Sequence, residues 1–318
     1  MGTALAQVAA TNGHQVRAWS VEADVLWEIA QRRRNSRYIG DLPLHPGIDP
    51  TADIAEAVAD AALVIVAVPS QAVATVARLA APHLSPSQIF LNVAKGLEVH
   101  SLRRISQVLV DSLGQPFRRS IVTLGGPAVA IEMAQGHPMA VVAAAQDEAV
   151  AATVQRLLRN DHLKVETTRD VVGVELCAAL KNVYAIGLGL CDGLGYGTNT
   201  KAFVATLALE EMSAVCVRLG GKRRTVFGLA GLGDLLTTGF SPHSRNRTLG
   251  ERMGSGGDWR EFLRTHTVEG VAAAAAVKKV TQGWGIRTLL LDTIHGVVCD
   301  AWPADEAMGA FFRRFAYG

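Results

Sequence analysis

Three turns and one helix start carry the residue types that bind or move charge. The turns are Val68-Pro69-Ser70, Ala94-Lys95-Gly96-Leu97-Glu98 and Gly125-Gly126-Pro127. Each follows a short apolar run, and each taken singly reads as a plain strand-to-helix turn. Three in succession, one with a lysine, favour a ligand cleft, because ligands of a doubly wound sheet bind beyond the carboxyl ends of its strands. The helix start is Ser244-Arg245-Asn246, just past Pro242. Free N–H groups and the positive end of the helix dipole attract an anion there, and an arginine adds a two-pronged clamp. The plainer reading of Arg245, with Arg247 and Arg252, is a solvated helix face. Lys181 stands within the apolar stretch GVELCAALKNV, where a lysine ordinarily snorkels to solvent. Cysteines 177, 191, 216 and 299 are not in CxxC spacing, so neither a zinc site nor a disulfide framework is indicated. His14, His100, His137, His162 and His295 read as ordinary surface or core histidines.

These groups need elements to hold them. Short apolar runs at 15–19, 62–68, 88–93, 120–124, 139–144 and 163–167 read as strands, and 70–81 and 101–113 as helices between them. That alternation predicts a parallel sheet covered on both faces. Beyond about residue 169 the strand pattern stops. Stretches 171–191, 199–219, 225–237, 244–253, 268–283 and 291–298 read as helices, separated by glycine-rich breaks such as Asp192-Gly193-Leu194-Gly195. The expectation is an α/β Rossmann-like domain over 1–168 and an all-α domain over 169–318.

Composition agrees with a large core. The 318 residues suit two domains at roughly 100–200 residues each. Hydrophobic residues make up 49% and charged ones 19%, and the net charge of +2 offers no general attraction to nucleic acid. Apolar runs such as AALVIVAV are far shorter than the ~20 residues that span a bilayer. With no basic leader ahead of an apolar core segment, the expected setting is a reducing cytoplasm.

GVELCAALKNV at 173–183 followed by GLAGLGDLLTTGFSPHSRNR at 228–247 resembles the bacterial NAD(P)-dependent glycerol-3-phosphate dehydrogenases. The resemblance runs on through Asn35-Ser36-Arg37-Tyr38, Val68-Pro69-Ser70-Gln71, Lys95-Gly96-Leu97-Glu98, Gly126-Pro127 and Thr267-Val268-Glu269-Gly270. It implies reversible reduction of dihydroxyacetone phosphate to sn-glycerol 3-phosphate with NAD or NADP, feeding glycerophospholipid synthesis. It implies Lys181 as proton donor and acceptor, Asp234 as the carboxylate orienting it, and Lys95 as a second cation touching substrate and cofactor. Such a neighbour would draw a lysine's pKa towards neutrality. Gly126, Ala128, Asn182, Thr238, Ser244, Arg245 and Asn246 fall at substrate-binding positions, with the phosphate on Ser244-Arg245-Asn246. Gly2, Glu22, Lys95, Ala130, Arg245, Thr267 and Glu269 fall at cofactor positions. A homodimer is compatible with the sequence, which does not settle the oligomeric state; nucleic acid, a membrane span and a metal are not expected.

Three departures stand out. Gly2 occupies the place of the third glycine in the dinucleotide loop GxGxxG, so the first strand and the first two glycines are expected to be absent. Either an internal methionine has been taken as the start or the strand is lost. Ala128 stands where the family has serine or threonine and cannot donate a hydrogen bond. Beyond the second strand, Ser20-Val21-Glu22 offers a carboxylate at the spacing that takes a ribose hydroxyl, favouring NAD, although Arg17 and Arg32-Arg33-Arg34 could meet a 2′-phosphate. Two rival readings are a related β-hydroxyacid-type dehydrogenase and a truncated, non-catalytic remnant. The phosphate-type motif Ser244-Arg245-Asn246 argues against the first, since an unphosphorylated acid would not need it, and Lys95, Lys181, Asp234 and Arg245 argue against the second.

Overall fold

The computed structural model describes residues 1–98 and 103–317, so His100 and the start of the helix expected at 101–113 lie outside the described residues. The chain divides into two compact units, one built on residues 1–95 and 103–171, the other on residues 172–317 together with 96–98.

The first unit opens with the helix Gly2–Thr11. Its strands are β1 (Val16–Trp19), β2 (Ile48–Thr51), β3 (Leu63–Val66), β4 (Ile89–Asn92), β5 (Ile121–Gly125), β6 (Met139–Ala145) and β7 (Leu163–Thr168). Six of them match the apolar runs of the sequence. β2 does not: its sequence, IDPT, carries a proline and little apolar character, which demotes it as a strand. It is nonetheless paired parallel to β1, with Pro50 opposite Ala18. The absence of a first strand is not shown, since β1 is present at Val16–Trp19.

The single parallel sheet expected from the sequence is corrected in two respects. The strands form a two-stranded sheet, β1-β2, and a five-stranded sheet in the order β3-β4-β5-β6-β7. Within the larger sheet β5 and β6 run antiparallel, with Val122 opposite Ala145. A parallel return is usually carried by a full helix that runs back along the sheet. The link at 126–138 contains only the five-residue helix Ala130–Ala134, so β6 turns back beside β5. The helix Glu148–Leu158 is long enough to bring β7 back parallel to β6.

Strand side chains alternate between two apolar clusters, as the period of two requires. Leu91 and Val122 join Ala4, Leu5 and Val8 of the opening helix and Ala151, Val154 and Leu158 of the later one. Phe90 and Ile121 join Val73, Ile105 and Leu109 on the opposite side, where Phe90 meets Phe117 edge-on at 5.4 Å.

The second unit is helical, around the 23-residue helix Val171–Gly193. This is the one helix among the described residues long and apolar enough to cross a membrane, and 94% of its apolar window is buried inside the protein. A helix apolar on all sides belongs in a core. Around it lie Thr198–Arg218, Asp234–Phe240, Arg245–Gly254, Glu269–Thr281, Leu289–Cys299 and Ala304–Tyr317. The helix expected over 225–237 is broken into Arg223–Val226, a π-helical turn Leu229–Gly233, and Asp234–Phe240. Glycines cause the break: a Cβ on Gly231 would stand 2.0 Å from the Val226 carbonyl oxygen. The helices Trp259–Thr265 and Ala304–Tyr317 were not anticipated from the sequence pattern.

Candidate active site

The helical unit positions its polar residues by backbone-to-backbone contact. Gly189 and Gly193 on the central helix face Gly250 and Gly254 on the helix Arg245–Gly254. A Cβ on Gly250 would lie 2.0 Å from the Ile186 carbonyl oxygen, and one on Gly189 would lie 2.0 Å from that of Arg247. Only hydrogen fits at either place. The two helices therefore approach as closely as peptide groups allow, and the start of the second is set against the middle of the first. An ion triad adds to this seam: Asp192 accepts from Arg247 Nε at 2.7 Å and from Lys201 Nζ at 2.7 Å. The helix Asp234–Phe240 packs equally tightly, since a Cβ on Gly239 would lie 2.2 Å from Leu188 Cδ1.

These contacts bring together residues far apart in the chain. Lys181 Nζ donates to Asp234 Oδ1 at 2.5 Å and to Thr238 Oγ1 at 2.8 Å. Asp234 and Thr238 are four residues apart and share one helix face, so both reach the same ammonium. Asp234 is the first residue of its helix, where the dipole favours a carboxylate. The ion-paired side chains are only 6% and 2% exposed. A lysine so enclosed does not snorkel, which removes the plainer reading of Lys181. Thr238, expected to hold substrate oxygens, accepts from the lysine, which leaves its own O–H as a donor.

A second cluster lies one residue along. Asn182 Nδ2 donates to Glu269 Oε2 at 3.0 Å, and Asn182 Oδ1 accepts from Asn246 Nδ2 at 3.0 Å. Asn246 Oδ1 accepts from the backbone N–H of Gly270 at 2.9 Å. Ser244 caps its helix, its Oγ accepting from the Arg247 N–H. Arg245 is exposed and has no hydrogen-bond or ion-pair partner among the described residues. A capped helix start beside an uncommitted arginine is suited to hold an anion. Thr267 is exposed, two residues before Glu269, which opens the helix Glu269–Thr281.

The α/β unit carries the remaining expected residues. Lys95 follows β4, in a turn braced by Asn92, whose side chain bonds both the N–H and the carbonyl of Ala94. Gly126 follows β5 with φ of +107°. Ala128 and Ala130 pack their methyls on the apolar cluster. Glu22 stands just before the helix that follows β1, without bonding its free N–H groups, and accepts from Arg37 Nη1 at 2.5 Å and from the Tyr38 hydroxyl at 2.8 Å. Arg37 reaches Asp24 as well, at 2.6 Å. Gly2 opens the first helix, and a Cβ there would lie 3.0 Å from the Ala67 Cβ, so the backbone passes close by the end of β3. Asn35, 2% exposed, donates to Thr3 Oγ1 at 2.8 Å, while its Oδ1 is buried without a partner among the described residues. A helix N-terminus, a close backbone passage and a carboxylate after β1 together fit a dinucleotide.

Not marked in the sequence are the Asp192–Arg247–Lys201 triad and a half-buried carboxylate, Glu211. Glu211 accepts from the Tyr184 hydroxyl at 3.1 Å and from the Leu290 and Leu291 N–H groups at 2.8 and 2.9 Å. Burial pushes its pKa up to about 7. Nothing in its local sequence marks it. Arg247 did carry a signal, as the last residue of SRNR, but one that read as a solvated face.

The chain matches family models at both ends. Residues 1–151 match the NAD-dependent glycerol-3-phosphate dehydrogenase N-terminus, and residues 170–309 match the C-terminus of the same family. The glycerol-3-phosphate dehydrogenase (NAD(P)+) of Bacillus subtilis is 36% identical over 315 residues, covering 98% of this chain and 91% of that protein. The enzyme of the same name from Enterococcus faecalis is 38% identical over 315 residues, covering 98% and 93%. The crystal structure of glycerol-3-phosphate dehydrogenase from Coxiella burnetii superposes with a TM-score of 0.89 at 30% identity, covering 98% of this chain and 95% of that one. With both units matched in order and relatives aligned along nearly its whole length, the chain belongs to the NAD-dependent glycerol-3-phosphate dehydrogenase family.

Proposed function

We propose that the protein reversibly reduces dihydroxyacetone phosphate to sn-glycerol 3-phosphate with NAD(P)H, as a cytoplasmic enzyme supplying glycerophospholipid synthesis. The observation that carries this reading is the buried Lys181–Asp234 pair, at 2.5 Å, with Thr238 on the same ammonium. The bound nicotinamide supplies the hydride. The chain's own task is then to hold the ketone and deliver a proton to its oxygen. Lys181 gives one proton from Nζ to the carbonyl oxygen as negative charge develops there, and is left as a neutral amine until it takes up another. Asp234 and Thr238 fix where Nζ stands, so the proton is delivered from a set position. In the reverse direction the neutral amine takes the proton of the secondary alcohol.

Ser244, Arg245 and Asn246 hold the phosphate through helix N–H groups and the guanidinium, with Asn182 behind them. Residues 1–168 act as the dinucleotide unit and 169–318 as the substrate unit. Gly2, Glu22, Lys95, Gly126, Ala128 and Ala130 serve from the first, and Thr267 and Glu269 from the second. Glu22 accepts from a ribose 2′-hydroxyl and opposes a 2′-phosphate, which favours NAD. Ala128 contributes a methyl where a hydroxyl would donate, so substrate binding there rests on its neighbours.

The test follows NADH absorbance with dihydroxyacetone phosphate as substrate. Arg245→Ala should lower kcat/KM by at least about tenfold, the scale of one charge-assisted hydrogen bond. Unchanged kinetics in that variant would place the phosphate elsewhere. Read as a phosphate seat, the same helix start separates this reading from a dehydrogenase of unphosphorylated hydroxyacids, whose singly charged carboxylate makes no use of a second site for a phosphate dianion.

A further inference from the structure

The amide chain through Asn246 and Asn182 has a direction. The Gly270 N–H can only donate, and it meets Asn246 Oδ1 at 2.9 Å. That turns the NH2 of Asn246 towards Asn182 Oδ1, at 3.0 Å. Asn182 is turned in the same way, so its NH2 meets Glu269 Oε2 at 3.0 Å. An ionised carboxylate accepts and never donates, so the chain ends there. Glu269 and Gly270 are consecutive residues at one helix start, and the chain leaves and returns to the same turn. Asn182 and Asn246 are 3% and 8% exposed, so water is poorly placed to replace a lost partner. Gly270 is fitted to this ring: a Cβ on it would stand 2.7 Å from Asn246 Oδ1.

We propose that Glu269 is a positioning residue for the phosphate-bearing substrate, acting through Asn182 to hold the Asn246 amide with its NH2 as donor beside Ser244 and Arg245. The proposal rests on reading that helix start as the phosphate seat. One N–H of Asn246 is spent on Asn182, and the other has no partner among the described residues. A dianionic phosphate ester needs a donor. Without Glu269, Asn182 keeps only a 3.4 Å bond from its NH2 to the Ala178 carbonyl and is freer to turn that NH2 towards Asn246, which competes with the Gly270 N–H and draws the Asn246 carbonyl oxygen towards the anion, repelling it. Glu269 thus serves the substrate as well as the cofactor position it occupies in the family.

Binding measured without cofactor separates the two roles. The intact protein is titrated calorimetrically with sn-glycerol 3-phosphate alone, and NADH binding is followed separately by fluorescence. Glu269→Ala should weaken sn-glycerol 3-phosphate by about tenfold, the scale of a lost hydrogen bond to a charged group. Glu269→Gln keeps an acceptor for Asn182 and should restore affinity to within about threefold of wild type. Asn246→Ala combined with Glu269→Ala should bind no more weakly than Asn246→Ala alone, because the two act as one unit. The double variant also answers for a Glu269→Ala chain that folds poorly, since general damage would multiply the losses. Unchanged sn-glycerol 3-phosphate affinity in Glu269→Ala with only NADH weakened, or multiplicative losses in the double variant, overturns the proposal. Failure of the wild type to bind sn-glycerol 3-phosphate refutes the phosphate-seat reading, and the proposal with it.

Discussion

Removing Lys181 should damage rate and stability together, and the two losses should come apart in a second variant. The pair is 2.5 Å long, with side chains 6% and 2% exposed. Breaking so buried a pair on one side leaves a carboxylate without its counter-charge, at a cost of about 3–5 kcal/mol. Losing a positioned proton donor lowers kcat by roughly 10²–10⁴. Lys181→Met should therefore show both effects. Lys181→Met with Asp234→Leu replaces the pair by apolar groups of similar bulk, an exchange that is often neutral or stabilising. Its stability should return to near wild type while kcat stays low. Lys181→Arg keeps a positive charge beside Asp234 but holds its proton too tightly to give it up at neutral pH, so kcat should again fall. Urea unfolding at fixed pH reads the stability, and NADH absorbance at saturating substrate reads kcat. A Lys181→Met variant with kcat within about threefold of wild type would remove Lys181 from proton transfer, against the scale expected for a general acid. Full stability in that variant would mean that the pair is solvated, against its burial.

Two further outcomes rest on packing and burial. The Glu211 pKa is raised by burial from 4.5 to about 7, so the folded state binds its proton more tightly than the unfolded chain. Its contribution to stability is present below pH 4.5 and lost as pH rises through about 7, by roughly 3 kcal/mol at 1.36 kcal/mol per unit. Glu211→Gln should gain stability over wild type progressively between about pH 5 and 8 in urea titrations, and a pH-independent difference would contradict the burial argument. Gly250→Ala would set a Cβ 2.0 Å from the Ile186 carbonyl oxygen, whereas a Cβ on Gly197 would meet nothing within 4 Å. Gly250→Ala should lose at least about 1–3 kcal/mol and raise KM for the phosphorylated substrate, while Gly197→Ala should leave both near wild type.

Much of the architecture was legible because its signals are local. Short apolar or alternating runs marked six of the seven strands, and apolar stretches between glycine breaks marked most of the second unit. β2 escaped because its pairing with β1 is a tertiary choice that its own residues, Ile48-Asp49-Pro50-Thr51, do not advertise. The antiparallel turn at β6 escaped for a different reason. Direction in a sheet depends on whether the link can cross back, and a link of turn residues with one short helix reads much like a crossover until the length of that helix is weighed.

The site was legible as a set of residue types, but its wiring was not. Lys181 and Asp234 are 53 positions apart, and no periodicity connects them. What joins them is a set of glycines whose meaning lies in another segment. Gly189 and Gly193 matter because Gly250 and Gly254 face them, and Gly239 matters because Leu188 does. A glycine in a helix is ordinarily a weak point, costing about 1 kcal/mol relative to alanine. Here the methyls omitted at Gly189, Gly193, Gly250 and Gly254 let one helix backbone rest on another, and the one omitted at Gly239 admits the Leu188 side chain, which brings the Arg245 helix start and the Asp234 carboxylate to the central helix. Thr238 and Asn182 carry the consequence. The resemblance places both with the substrate, and the structure shows what else each touches: Thr238 accepts from Lys181, and Asn182 bonds Asn246 and Glu269. Spacing along the chain can nominate polar residues for a site. Which of them face the ligand and which hold the others in place is decided by how closely the helices beneath them pack.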